Sequence, residues 1–160
     1  MPPSPSWARK SDMLIVARDV SELRVFTLAE VYDLNTLDEG QDFYGFLSED
    51  FFPEGICCVW EVNGHYMAAL RLQRWRDGYL LEGLQTHGDH RGKGYAKQLI
   101  AEALKVVSGD KVYAHIHREN APSIAVHTTS GFRKLWNSAT YLDGSVHADS
   151  DTYVYEDPRC

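Results

Sequence analysis

Three features of the 160-residue chain predict an α+β domain around a mostly antiparallel, mixed sheet. Two tight-turn signals, Asn63-Gly64 and Asp77-Gly78, divide "GICCVWEVNGHYMAALRLQRWRDGYLLEGLQTH" into three strands of about Ile56–Val62, His65–Trp75 and Tyr79–Thr86. An amphipathic helix follows them, with Leu99, Ile100, Ala103, Leu104 and Val107 on one face. Short apolar runs then alternate with one more helix. The order is β-α-α-β-β-β-α-β-α-β-β, about seven strands flanked by about four helices.

Each remaining element has its own signal. Residues 1–12, "MPPSPSWARKSD", form a proline-rich leader without the apolar core of a signal peptide, so a single domain is expected over residues 13–160. "MLIVARD" (Met13 to Asp19) is a short apolar strand, after which Asp19 or Ser21 caps a helix carrying Leu23, Phe26, Leu28 and Val31. The aromatic, acidic "NTLDEGQDFYGFLSEDFFPEG" has no clean period and is expected to be a loop with a short helix in it. "KVYAHIH" is a strand. "APSIAVHTTSGF" is a short helix with Pro122 in its first turn and Gly131 as its stop. "FRKLWNSATYL" and "DTYVYED" close the chain as two strands.

Composition excludes several functions. Charged residues make up 24% and the net charge is −7, which argues against nonspecific nucleic-acid binding and leaves a small cationic substrate open. No apolar run approaches the ~20 residues of a membrane span. Cys57, Cys58 and Cys160 show no metal spacing and are odd in number, which suits a reducing, cytoplasmic protein. His115 and His117 alternate on one strand, and His87 and His90 sit near the glycine-rich turn, but no carboxylate accompanies them at ligand spacing; no metal is expected. A homodimer is compatible with this composition.

The chemistry is concentrated in "THGDHRGKGYAKQLIAEALKV". A glycine-rich basic turn that opens a helix suits a phosphorylated ligand, because free N–H groups at a helix N-terminus carry partial positive charge. The nucleoside-triphosphate loop fails here: Gly92-Lys93 is followed by Gly94 and no glycine lies five residues before Gly92. The dinucleotide fingerprint fails as well, since Lys97 stands where its third glycine belongs. Arg/Gln-x-x-Gly-x-Gly/Ala is matched by Arg91-Gly92-Lys93-Gly94-Tyr95-Ala96. A second stretch, "NAPSIAVHTTSGFRKL", places Asn120, Ser123, Gly131 and Phe132 on the pattern Asn-x-x-Ala-x-x-x-Tyr-x-x-x-Gly-Phe. With these two motifs in this order, the chain resembles the GNAT N-acetyltransferase superfamily over about residues 14–155.

The resemblance implies an N-acetyltransferase that moves an acetyl group from acetyl-CoA, its cosubstrate, to a primary amine by direct attack in a ternary complex, with no metal. It implies that the strands on either side of the first motif splay apart, with pantetheine paired to the backbone near Leu84 and Thr86. Arg91, Gly92, Lys93, Gly94, Tyr95 and Ala96 would hold the pyrophosphate. Asn120, with Ser123 at the small-residue position, would contact the pantetheine or adenosine. The acceptor, a small molecule or a peptide amine, would be shaped by the aromatic, acidic loop with Asp38, Glu39 and Asp42. One departure stands out: His127 occupies the tyrosine position that protonates the leaving thiolate. It either donates that proton as an imidazolium or fills space beside the cofactor. That departure also keeps alive an alternative function, a catalytically weak acyl-CoA-binding sensor or interaction module. Glu82, on the apolar strand "YLLEGLQ", is the candidate general base, with strand alternation placing it on the face of Leu80 and Leu84 and burial raising its pKa.

Overall fold

A computed structural model describes residues 12–18, 55–63, 65–86, 94–141 and 144–157. The helix expected after Asp19, the acidic loop, and the first half of the glycine-rich turn lie outside these residues. In chain order the elements are β1 (Met13–Ala17), β2 (Ile56–Val62), β3 (His65–Trp75), β4 (Gly78–Thr86), α1 (Tyr95–Val106), β5 (Lys111–His117), α2 (Ala121–Thr129), β6 (Arg133–Trp136), β7 (Ala139–Thr140), β8 (Val146–His147) and β9 (Ser150–Tyr155). Seven strands form one sheet in the order β1-β2-β3-β4-β5-β9-β6, and β7 and β8 form a separate two-stranded ribbon. Within the large sheet β4 and β5 pair in parallel and the other neighbours antiparallel.

The first turn falls at Asn63 as expected, but the second falls one residue before Asp77-Gly78: Arg76 and Asp77 make it, and Gly78 begins β4. Asn63 takes a left-handed φ of 51° at the end of β2. Arg76 does the same in the two-residue turn that sets Trp75 opposite Gly78. Period-two burial then puts Cys58, Leu70, Leu72 and Leu81 on one face, where Leu99, Ile100, Ala103 and Leu104 of α1 cover them. Burying each such leucine or isoleucine contributes roughly 1.5–3 kcal/mol, so this face carries most of the sheet's stabilisation. The opposite face has a smaller core of Trp75, Leu80, Tyr113 and Val154. Cys57 and Cys58 are buried free thiols, and burial pushes both up to about 12. α2 opens on Asn120, whose side-chain oxygen accepts from the Ser123 N–H at 3.2 Å.

Two expectations need correction. "FRKLWNSATYL" is not one strand: it breaks at Asn137 and Ser138 into β6 and β7. The carbonyls of those two residues are taken by side chains from elsewhere, Asn137 by Arg118 and Ser138 by the Thr152 hydroxyl, and so are withdrawn from any ladder. The second correction concerns β4. Ala69 pairs with Gln85 but Arg71 pairs with Glu82, so Gly83 and Leu84 together face Leu70. This is a β-bulge with Gly83 at a left-handed φ of 64°. The extra residue breaks the alternation. Glu82 stays on the face of Leu80, while Leu84 packs with Leu81 on the helix-covered face.

One buried and one half-buried histidine, His127 and His115, make stability depend on pH. Burial lowers the pKa of His127, against a smaller opposing effect of its bond to the Ser123 carbonyl. Burial, with Arg76 and His147, lowers His115 to about 4. Unfolded, both titrate near 6.5. The unfolded chain therefore binds more protons between about pH 6.5 and 4, and stability is full above this window and falls as pH drops through it. Urea unfolding at pH 7.5 and pH 5 should show this loss, and His127→Phe should flatten the slope. A wild-type stability that does not change across that window would contradict the assignment.

Candidate active site

The site begins where the β4–β5 pairing ends. Paired positions run from Gly78 with Lys111 to Leu81 with Ala114. Beyond them β4 continues to Thr86 and β5 to His117 without pairing to each other, because the bulge at Gly83 turns β4 away. A cleft of about 690 Å³ opens on the helix side of this parting. Leu84 and Thr86 form its β4 wall, Gly94 to Lys97 its end, and Asn120, Pro122, Ser123, Ala125, Val126 and Thr129 its α2 wall.

The end formed by α1 is suited to an anion. Gly94 holds the N-cap position at a left-handed φ of 81°, with no acidic residue in the first turn. The first helical bond runs from Gln98 N–H to the Gly94 carbonyl, which leaves the N–H groups of Ala96 and Lys97 without an intrahelical acceptor. A Cβ on Gly94 would meet nothing within 4 Å among the described residues.

Seven of the residues singled out in the sequence line this one cleft: Leu84, Thr86, Gly94, Tyr95, Ala96, Asn120 and Ser123. Arg91, Gly92 and Lys93 lie outside the described residues. Sequence reasoning missed Pro122, Ala125, Val126 and Thr129, although their spacing along α2 is that of one helical face. It missed Lys97 as well.

A family model described as the acetyltransferase (GNAT) family matches residues 20–132. The chain belongs to the GNAT acetyltransferase family. Among curated proteins none matches the sequence at a significant level. Solved structures share the fold at low identity. The ribosomal-protein-S18-alanine N-acetyltransferase from Escherichia coli is 16% identical with a TM-score of 0.59, covering 89% of this chain and 93% of that one. A Bacillus subtilis acetyltransferase in complex with CoA is 11% identical with a TM-score of 0.61, covering 91% and 98%. A spermidine N-acetyltransferase chimera of Vibrio cholerae and hSSAT is 13% identical with a TM-score of 0.55, covering 76% of each chain.

The two candidate catalytic residues of this GNAT domain do not line the cleft. Glu82 lies at the parting on the opposite face, where Arg71 pairs with its carboxylate. The guanidinium is the more deeply buried partner, 6% exposed against 21% for Glu82, so the carboxylate keeps the outward position. Arg71 was not legible as its partner: counting outward from the expected Asp77-Gly78 turn sets Gln73 opposite Glu82, and the observed Arg76-Asp77 turn sets Arg71 there. His127 is 3% exposed and packs edge-on against Phe132, ring centroids 5.1 Å apart. Its Nδ1 lies 2.7 Å from the Ser123 carbonyl oxygen, which can only accept, so Nδ1 carries the proton. Its Nε2 is buried without a hydrogen-bond partner.

Removing one partner of the Arg71–Glu82 pair should be costly, because the other charge stays in place unpaired. Arg71→Met is expected to lose about 2 kcal/mol by urea unfolding, and adding Glu82→Gln should recover part of it. If Arg71→Met were as stable as wild type, the pair would not be holding this part of the sheet.

Proposed function

We propose that the protein transfers the acetyl group of acetyl-CoA to a primary amine by direct attack in a ternary complex. The observation that carries this reading is the parting of β4 and β5, with an anion-suited cleft on one face and a carboxylate on the other. A pantetheine arm reaching from the α1 end along β4 would find, at Leu84, strand backbone beyond the last pair with β5. Its thioester would come to the parting, where an acceptor approaching past Glu82 meets it. Arg91, Gly92 and Lys93 precede Gly94 in the sequence, and the two basic side chains would add positive charge for the pyrophosphate. The S18-alanine and spermidine enzymes named above have amine acceptors of very different size, so the fold leaves the acceptor open.

Catalysis rests on positioning and on a dipole. Holding both reactants across the parting replaces a bimolecular encounter, and the backbone N–H near Leu84 is suited to stabilise the developing oxyanion. Glu82 takes a proton from the incoming ammonium, directly or through a water. His127 acts as a packing group rather than an acid: donation requires the imidazolium, which its burial disfavours. This same feature favours one second reading, an acyl-CoA sensor with little turnover. Release of free CoA across a panel of amines separates the two.

The cofactor assignment is tested at Gly94. Gly94→Val should weaken CoA binding at least about tenfold by calorimetry, since a β-branched residue both resists the left-handed φ and fills the space before the helix. Gly109→Ala, also at a positive φ of 95° but outside the cleft, is the control for backbone strain alone. Equal CoA affinity in Gly94→Val and wild type would overturn the cleft's assignment.

The base is tested at Glu82. Glu82→Gln should retain CoA binding and lower kcat/KM by about 10- to 100-fold, with activity recovering at high pH as free amine accumulates. A wild-type pH–rate profile in that variant would remove Glu82 from the mechanism.

A further inference from the structure

His115 is the least satisfied polar side chain near the parting. It is the β5 residue next after the last β4–β5 pair, and Glu82 is its counterpart on β4. Arg71 faces Glu82 from β3 and Thr152 faces His115 from β9. One row across four strands thus carries Arg71, Glu82, His115 and Thr152 on the face away from α1. Arg71 pairs with Glu82, and the Thr152 hydroxyl donates to the Ser138 carbonyl at 2.6 Å. Both ring nitrogens of His115, by contrast, are buried without a hydrogen-bond partner among the described residues. Its ring is walled edge-on by Trp75 at 5.1 Å and Tyr141 at 4.6 Å, which satisfy neither nitrogen.

A neutral imidazole presents one N–H donor and one lone-pair acceptor. Buried polar atoms in folded proteins are almost always paired, so two orphans on one ring beside a reaction site call for a ligand. A second ammonium group would use the acceptor and leave the N–H unpaired. A hydroxyl or a carboxamide can use both. Glu82 and His115 are the first positions past the last β4–β5 pair, Leu81 with Ala114, so a group at His115 and an amine at Glu82 belong to one small molecule that separates them by a few bonds.

We propose that His115 is a specificity-determining residue for the acceptor, binding a neutral donor–acceptor group, a hydroxyl or an amide, two or three bonds from the attacking amine. The proposal rests on the acetyl-transfer reading above. The group replaces the edge of Tyr141, which follows β7 and packs against His147 of β8 at 4.4 Å. The backbone of Tyr141 is bonded to Ser145 and Gly144, so the ring moves by turning about its own side-chain bonds while the ribbon stays in place.

The test measures CoA release from acetyl-CoA with glycinamide, ethanolamine, propylamine and 1,3-diaminopropane. The wild type should favour glycinamide or ethanolamine over propylamine, and whichever leads identifies the group as amide or hydroxyl. His115→Phe should shrink that preference about tenfold or more, and His115→Gln, whose carboxamide also donates and accepts, should restore it. Comparing the ratio between proteins cancels the amines' intrinsic reactivities. A second readout needs no turnover: the ¹⁵N resonances of the His115 ring, followed with CoA present, should move on adding glycinamide or ethanolamine and not propylamine. An unchanged preference in His115→Phe, or ring resonances that do not respond, overturns the inference and leaves acetyl transfer standing. A wild type that binds acetyl-CoA but acetylates none of the four amines counts against the transfer reading, and the ring titration then decides the role of His115 alone.

Discussion

One left-handed glycine governs this molecule's working surface. Gly83 places two β4 residues opposite Leu70, and the strand cannot absorb the extra residue without turning out of register with β5. Three consequences follow from that single turn. The parallel pairing stops at Leu81, the β4 backbone beyond it is left facing a gap rather than a strand, and the side-chain alternation slips by one. Unpaired backbone groups inside a protein demand partners. A ligand rich in amides, such as the pantetheine of the proposed cosubstrate, is one way to supply them. The same slip sends Glu82 and Leu84 to opposite faces, so the carboxylate and the cleft lining come from adjacent stretches of one strand and yet face different sides of the sheet.

Electrostatics on the two faces differ accordingly. The helix side presents backbone dipoles and an absence of acidic groups at the start of α1, which suits an anion on a protein whose net charge is −7. The other face holds a carboxylate, but one tethered to a buried guanidinium. A partly buried ion pair is weak evidence for stability, since desolvation offsets much of the attraction. What the pair does secure is position: Arg71 fixes the carboxylate at the mouth of the parting. Two apolar residues in their place would pack well but would put nothing there to receive a proton.

The sequence made the scaffold legible because the scaffold is local. Strand ends fell at turn residues, the buried stripe of α1 was visible in its spacing, and Asn120 and Pro122 marked the start of α2. The cleft lining was legible through motifs that depend on the same local geometry. What escaped depended on residues far away in the chain. The break between β6 and β7 is imposed by Arg118 and Thr152, which nothing near Asn137 announces. The bulge is an intermediate case. A glycine inside an apolar strand is a bulge signal, and "YLLEGLQ" carries one, but an unbroken alternation of faces takes no account of it. Reading the glycine as a bulge would have separated Glu82 from Leu84 before any coordinates were known.

His127 shows how a substituted position can be tolerated in this chemistry. With its Nδ1–H given to the Ser123 carbonyl, a neutral His127 has only a lone pair left on Nε2, and a lone pair cannot protonate a thiolate. The reaction need not stall for want of an acid. A thiol with an ordinary pKa near 8.5 leaves readily as the thiolate. In the proposed transfer the proton it finally takes is available within the reaction itself: a neutral attacking amine carries one more proton than the amide product keeps. Transfer of that proton to sulfur balances the equation without a side-chain donor. On this account a tyrosine and a buried histidine are interchangeable at the position to the extent that it is one of packing against Phe132. On the proposed reading, control of the rate passes to the groups that bring amine and thioester together, Glu82 on one face and the cleft lining on the other.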